Sequence, residues 1–369
     1  MKVLLLANHV NYGGITAYLL NLARALNRRD GFEYVVASRG GELEDEFRVL
    51  GIEHLSAPLS TKCEVSLKVF LSFLKLRRLI GSRKIDVIHA NTRVTQVLAS
   101  LLSSATGVPF ISTCHGYFKP KLIRRLLPCW GKKVIAISDP VRDHLINDFG
   151  VKGSDIELVY NGIDLEKFKV FDRQDIEEEK KRLGLDLSKK VIGHIGRLSS
   201  VKGQKFLVLA ASVLAQKRND LQFLIIGDGE ESAALKELVR QRGLGSVVFL
   251  RPSVADTARV LAVMDIFAMP SLQEGLGLSA LEAQAARVPV VASRVGGLVS
   301  VVEHEKTGLL FDSGDYNGLA GAVERLLNDG ALAKNLISNA RRGLQEKFTI
   351  SLMAQKTLKV YKEVACLRP

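Results

Sequence analysis

Short, uninterrupted apolar runs, each followed by a stretch of helical period, recur from end to end of the chain, and this alternation constrains the fold more than any other feature. Lys2–Ala7 (KVLLLA) is the first such run. Glu33–Ser38, Ile85–Ala90, Pro109–Thr113 and Lys133–Ile137 follow, with helical patterns over 14–29, 42–50, 64–82, 92–105 and 139–148 between them. A strand that is apolar on both sides must be covered on both faces, and the intervening helices can do the covering. The pattern predicts an α/β fold with parallel sheets. The charged stretch 165–190 breaks the rhythm, after which a second series runs through Val191–Ile195, Leu221–Ile226, Val247–Leu250, Ile266–Met269, Val288–Ala292 and Gly308–Phe311. The chain has 369 residues, 47% of them hydrophobic, and a single core rarely organises more than roughly 250–300 residues. Two α/β domains with a boundary near 165–175 are expected, and 315–369 reads as mostly helical.

Charge is unevenly placed. The formal net charge is +13, and the segment from Lys62 to Lys133 holds fourteen Lys and Arg against two acids, Glu64 and Asp86. A solvated basic face fits this segment, and so does a surface for anionic lipid or an anionic substrate. Nucleic acid is disfavoured, because no aromatic residues interleave the cations and no binding module is recognisable. Cys63, Cys114, Cys129 and Cys366 are scattered without C-x-x-C spacing, which favours reduced thiols over a disulfide framework or a structural zinc site. Residues 3–23 and 94–118 carry almost no charge, but Asn8, His9, Gly13, Gln96 and Pro109 interrupt them. Neither reads as a signal peptide or a membrane span. A cytoplasmic location is expected, with contact at the inner face of the cytoplasmic membrane.

Three motifs carry chemistry. Gly13-Gly14 lies between the first strand and the first helix, where small residues allow a ligand close to the backbone and a helix start favours an anion; a tight structural turn fits equally well. In the second series, Val191–Ile195 ends in Gly196-Arg197-Leu198, with Lys202-Gly203 at the next helix start. Arg197 offers a fork and Lys202 a point charge for phosphate oxygens, and their place at a strand–helix junction favours a diphosphate site over a surface pair. The third run, Pro270 to Ser293, sets Glu274 in a loop kept open by Gly275 and Gly277, followed by a helix from Leu278 that carries Glu282. Carboxylates accept from hydroxyls and helix-start amides donate to phosphate, a combination suited to a sugar nucleotide.

With these motifs in this order the chain resembles the retaining, nucleotide-sugar-dependent glycosyltransferases of family 4 (glycosyl transferases group 1). Cys114-His115-Gly116, Ala136-Ile137-Ser138, Asn161-Gly162-Ile163-Asp164 and Gly227-Asp228-Gly229 complete the likeness, which covers nearly the whole chain. The resemblance implies the GT-B fold, two Rossmann-like parallel-sheet domains facing across a cleft. An acceptor domain is expected over 1–170, a nucleotide-sugar domain over 171–348, and a C-terminal helix over 349–369 that returns to the first domain. It also implies that Arg197 and Lys202 neutralise the leaving diphosphate near Gly196, and that Glu274 faces the donor sugar beside Gly275 and the Gly277 and Leu278 amides. Glu282 would bind ribose hydroxyls, His115 would stand near the reacting centre, and Gly13 and Gly14 would flank the diphosphate and the acceptor. A core histidine also fits position 115, though its place at a strand end before Gly116 favours the site.

Two residues depart from the family pattern. Arg287 stands where glycine is common, and Arg251 lies at a position often glycine near the nucleobase, so the base is open, with a UDP-sugar expected first. No D-x-D triplet occurs, so no metal and no cofactor beyond the donor is expected, with the cations taking the charge-stabilising part. Retention without an enzyme nucleophile implies same-face attack, the leaving phosphate accepting the acceptor's proton. Lys119, Lys121, Arg124, Arg125, Lys132 and Lys133 around Leu122, Ile123, Leu126, Leu127 and Trp130 suggest a peripheral enzyme acting on an anionic or lipid-linked glycan, as in lipopolysaccharide or other envelope polysaccharide synthesis; ordinary packing with basic edges fits equally. A sugar-nucleotide epimerase of the same architecture and a non-catalytic sugar-nucleotide-binding protein are the competing readings.

Overall fold

The structure, a computed structural model, describes every residue except 28–30, 62, 121–123, 125–126 and 367–369. The chain divides into two compact units, Met1–Gly162 with Phe348–Pro369, and Ile163–Lys347.

In the first unit, β1 (Lys2–Leu6), β2 (Glu33–Ser38), β3 (Glu53–Ser56), β4 (Val87–Ala90), β5 (Phe110–Cys114), β6 (Val134–Ala136) and β7 (Ile156–Leu158) form one sheet in the order β3-β2-β1-β4-β5-β6-β7. Every pairing is parallel. Successive side chains of a strand point to opposite faces, so β1 feeds two cores. Val3 and Leu5 pack with Leu19 and Leu22 of the helix Gly14–Leu26 and with Met353, Val360 and Val364 of the helix Ile350–Ala365. Leu4 and Leu6 pack with Val69, Leu76 and Ile80 of the helix Leu67–Arg83 and with Val94 and Leu98 of the helix Arg93–Thr106. Two strands escaped the sequence pattern: β3 (EHLS) and β7 (IEL) lie at the two sheet edges, are only partly buried, and carry polar residues that an apolar-run reading passes over.

The second unit repeats the plan. β8 (Lys190–Ile195), β9 (Leu221–Ile226), β10 (Val248–Arg251), β11 (Ile266–Met269), β12 (Val290–Ser293) and β13 (Leu309–Phe311) lie in the order β10-β9-β8-β11-β12-β13. The charged break resolves into a helix, Arg173–Leu183, opened by the Asp172 carboxylate accepting from the Asp175 amide and closed by Gly184. Strands β4 and β12 each begin two residues later than the sequence suggests, for one reason. Ile85 N donates to Ile80 O (3.4 Å) behind Lys84 at φ 51°, and Val288 N donates to Ala283 O (2.9 Å) behind Arg287 at φ 63°. Both amides are used to close the preceding helix through a left-handed residue.

Both sheets run outward from their first strand, then return to its other side, so strand order reverses between β1 and β4 and between β8 and β11. In open parallel sheets such a reversal leaves a crevice at the carboxyl ends of the strands, where ligands bind. Among the described residues no helix is long and apolar enough to cross a membrane.

Candidate active site

In the second unit the loops leaving β8 and β11 are tied together. Leu272 N and Gln273 N both donate to Val201 O, at 2.8 and 3.3 Å. Gly203, at φ +65°, lies so close that a Cβ would stand 2.0 Å from Pro270 O, so only glycine fits there. The short turn Ser200–Lys202 is thereby pressed against the β11 loop, and Lys202 Nζ lies 2.5 Å from Glu274 Oε2, both side chains mostly covered. Arg197, which follows Gly196 at the end of β8, is exposed. Two of the residues singled out in the sequence for separate tasks are thus an ion pair here, with Arg197 on a loop of the same reversal.

Behind them stands a pair that the sequence reading missed. His194 is fully buried; its Nδ1 lies 2.9 Å from Ala268 O, and its Nε2 3.2 Å from Gln204 Nε2. Gln204 Nε2 also donates to Arg197 O at 2.9 Å. An amide nitrogen can only donate, so His194 Nε2 accepts and Nδ1 carries the proton. Burial lowers this histidine's pKa to about 4, which keeps it in that neutral form. The signal was a histidine inside an apolar strand, since a buried imidazole needs partners.

Gly277, at φ +103°, opens the helix Leu278–Ala285, and no side chain caps its first amides. Gly275 lies against Gly297, whose Cβ would meet Gly275 O at 2.1 Å. Glu282 stands four residues after Leu278, on the same face one turn along. Burial raises its pKa to about 7, with Lys167 and Thr257 pulling it down in part. Of the two departures, Arg251 is turned to other use: its guanidinium donates to Leu183 O (2.9 Å) and Leu250 O (3.0 Å) and lies over the Phe249 ring. Arg287 is exposed, in the left-handed backbone region.

In the first unit, Gly13 and Gly14 are exposed at the start of the helix Gly14–Leu26, again without a side-chain cap. The loop before them is fastened to its neighbour by Val10 N to Gly40 O (3.1 Å) and Leu43 N to Val10 O (3.0 Å). His115 follows β5 and is half-buried, its Nε2 3.1 Å from Asn91 Oδ1 and its ring edge-on to Tyr18. Asn91 Nδ2 donates to Leu6 O and His89 O, so Oδ1 must accept and His115 carries its proton on Nε2. Desolvation lowers the His115 pKa to about 3, leaving Nδ1 with a free lone pair at neutral pH. Asn91, at the end of β4, went unnoticed in the sequence.

The 119–133 part of the basic segment is less of a surface than its sequence suggests. Trp130 is buried between Phe118 and Phe149, Arg124 is held by Glu64, and Lys133 is held by Glu363 and Ser154 O. Lys119, Leu127 and Lys132 are exposed, while Lys121, Leu122, Ile123, Arg125 and Leu126 lie outside the described residues.

Two family models match the chain: Glycosyl transferases group 1 over residues 175–343, and Glycosyltransferase Family 4 over residues 12–167. The chain belongs to the family 4, group 1 glycosyltransferases. It is 27% identical to an uncharacterized glycosyltransferase of Methanocaldococcus jannaschii, over 95% of this chain and 94% of that one. It is 28% identical to the UDP-Gal:alpha-D-GlcNAc-diphosphoundecaprenol alpha-1,3-galactosyltransferase of Escherichia coli, over 86% and 84% of the two chains. Among solved structures it is similar to Anabaena HepE in complex with UDP and glucose, with a TM-score of 0.86 and 25% identity over 98% of this chain and 99% of that one. The fold of this glycosyltransferase is the GT-B type, each Rossmann-like unit carrying one strand-order reversal.

Proposed function

We propose that this glycosyltransferase moves a hexosyl group from a nucleoside-diphosphate sugar, UDP-linked in the first instance, to an anionic or lipid-linked glycan of the cell envelope, with retention and without a metal ion. The observation that carries the reading is the second unit's strand-order reversal, where the Lys202–Glu274 pair, exposed Arg197 and an uncapped helix carrying Glu282 come from two tied loops. Arg197 and Lys202 would take the diphosphate oxygens, with Gly196 and Gly275 letting them approach and the Gly277 and Leu278 amides donating. In the free protein Glu274 holds the Lys202 ammonium in place. A diphosphate would draw that ammonium toward itself and release Glu274 to accept from the sugar hydroxyls. Glu282 would accept from the ribose hydroxyls.

In the first unit His115 offers an Nδ1 lone pair to a sugar or acceptor hydroxyl, and Gly13 and Gly14 offer open amides. The departing phosphate oxygen would take the acceptor's proton as the new glycosidic bond forms on the same face, which needs no enzyme nucleophile. The UDP donor is supported by HepE, solved with UDP and glucose, and by the Escherichia coli relative named for UDP-Gal. The same relative, named for a diphosphoundecaprenol acceptor, supports a lipid-linked substrate.

Thermal-shift and slow-hydrolysis screens of UDP-, GDP- and ADP-sugars in EDTA, on wild type and Glu274→Ala, test the reading. One donor should stabilise the wild type selectively and release its nucleoside diphosphate slowly, with release lost in the variant. Hydrolysis that requires added divalent cation would overturn metal independence, and absence of any donor response would overturn the donor site.

A further inference from the structure

The helix Leu67–Arg83 turns Val69, Leu76 and Ile80 into the first unit's core, yet it leaves a second apolar face uncovered. Leu67, Phe70, Leu71 and Leu74 are 70, 53, 47 and 42% exposed, and Val65, just before the helix, is 85% exposed. Their spacing of i, i+3, i+4 and i+7 gathers the four into one stripe along the helix. Scattered exposed leucines are ordinary, but a continuous stripe of them with a phenylalanine marks a surface meant to be covered.

The charges around the stripe have one sign. Lys68 and Lys75 flank it on one side, Arg77 flanks it on the other, and Arg78 continues its line; the helix contains no acidic residue. Lys68 Nζ bonds only the neutral Ser60, and among the described residues no carboxylate pairs with Lys68, Lys75, Arg77 or Arg78. Glu64, beside the helix start, is occupied by Arg93 and Arg124. Arg93 in turn holds Leu127 O at 2.6 Å, and Leu127 is 63% exposed. Leu127 and Arg124 are thereby tied, through Arg93 and Glu64, to the residues just before the start of this helix.

We infer that the helix Leu67–Arg83 is a docking surface for an anionic lipid bilayer, lying in the headgroup layer with Leu67, Phe70, Leu71 and Leu74 inserted. An apolar face rimmed on both sides by unpaired cations matches acyl chains below and anionic headgroups above. A protein partner would need an apolar groove with an acidic rim, and a second copy of this chain would bring its own cations against these. The inference deepens the membrane reading above and rests on it for its purpose, to bring the transferase to a lipid-linked acceptor.

Vesicle sedimentation tests it, with phosphatidylcholine vesicles compared with vesicles enriched in phosphatidylglycerol. Wild type should bind the anionic vesicles and ignore the neutral ones. Each neutralised cation near the surface weakens binding about fivefold, so Lys75→Gln with Arg77→Gln and Arg78→Gln should lower affinity roughly a hundredfold. Phe70→Gln with Leu71→Gln and Leu74→Gln should lower it more than tenfold. The replacements are exposed and helix-compatible, so circular dichroism and donor hydrolysis in solution should stay at wild-type levels. Phe70→Trp should show blue-shifted emission on anionic vesicles.

Several results would overturn the inference: no binding by wild type, equal binding by both triple variants, or binding that the cation variant alone abolishes with no blue shift in Phe70→Trp. A change of oligomeric state in the apolar variant without vesicle binding by wild type would assign the stripe to a second copy instead. Vesicle binding with no donor turnover would sink the catalytic reading and leave this one standing; the reverse result would do the opposite.

Discussion

Removing one oxygen from Tyr361 should destabilise the first unit by about 2 kcal/mol. The side chain is fully buried in the helix Ile350–Ala365, and its Oη lies 2.6 Å from His89 Nδ1. Tyr34 donates to the same Oη, more weakly, at 3.5 Å. Burial holds the Tyr361 hydroxyl well above its usual pKa, so it is protonated and donates to His89. His89, kept neutral with a pKa near 3 by burial, can then donate through Nε2 to Thr113 Oγ1 at 2.7 Å. Thr113 in turn meets the Tyr18 hydroxyl at 3.3 Å. Tyr361→Phe keeps the ring packing and leaves His89 Nδ1 without a donor where no water reaches. An orphaned buried acceptor costs about 1–3 kcal/mol, and for a unit of this size 2 kcal/mol corresponds to a fall in Tm of roughly 4–8 °C. The assay is built into the chain, because Trp130 is its only tryptophan, lies in this unit and is buried. Urea unfolding followed by Trp130 fluorescence should show the loss, while the exposed Tyr12→Phe should stay within about 0.5 kcal/mol of wild type. A Tyr361→Phe midpoint equal to that of Tyr12→Phe would refute the directional chain from Tyr361 to Tyr18.

The remaining expectations are shorter. The same fluorescence should show stability falling on acidification: His89 and His115, with native pKa values of about 3, are neutral in the fold and protonate only in the unfolded chain. Their contribution is complete above about pH 6.5 and is lost progressively toward about pH 3; a flat profile between about pH 6 and pH 5 would contradict it. Glu282, raised to about 7, works in the opposite sense, because its buried carboxylate costs stability as pH rises through that range. Glu282→Gln should therefore stabilise the second unit by up to about 3 kcal/mol at about pH 8, read as a higher melting temperature, and leave it unchanged near pH 4; wild-type donor affinity should strengthen as the carboxylate ionises, and a pH-independent KM would count against the ribose role. Lys202→Met should lower kcat by about a hundredfold and also lower Tm, because it leaves the mostly covered Glu274 carboxylate unpaired; an unchanged kcat would remove Lys202 from the diphosphate site. Arg287→Gly should stabilise the second unit by about 1 kcal/mol in thermal unfolding by relieving the left-handed backbone, and any loss of stability there would contradict the strain.

What could be read in the sequence was whatever repeats locally. A strand buried on both faces announces itself, as Val3 and Leu5 against Leu4 and Leu6 do in β1, whereas β3 and β7, at the sheet edges, have no such signature. The candidate residues of the second unit were visible by type and by their place at strand ends. Their relation was not: Lys202 and Glu274 lie 72 positions apart and become an ion pair only because the strand order sets β8 beside β11 and Val201 O ties the two loops. Arg251 looked like a residue of the base site because of its position after a strand, and only the fold shows its guanidinium spent on the carbonyl that ends the helix Arg173–Leu183.

His89 makes the same point more sharply. A histidine in the apolar run before Asn91 demands partners, and that demand was legible; the partner that meets it, Tyr361, is 272 residues away. Asn91 then links the two levels of the first unit, since its Nδ2 holds the backbone carbonyls of Leu6 and His89 and its Oδ1 meets His115. The tautomer of the candidate site histidine therefore follows from carbonyls at the ends of β1 and β4, which sequence adjacency alone does not bring together. Those two strands are neighbours only where the sheet reverses direction, so the feature that opens the crevice also fixes which nitrogen of His115 carries the proton and which keeps its lone pair.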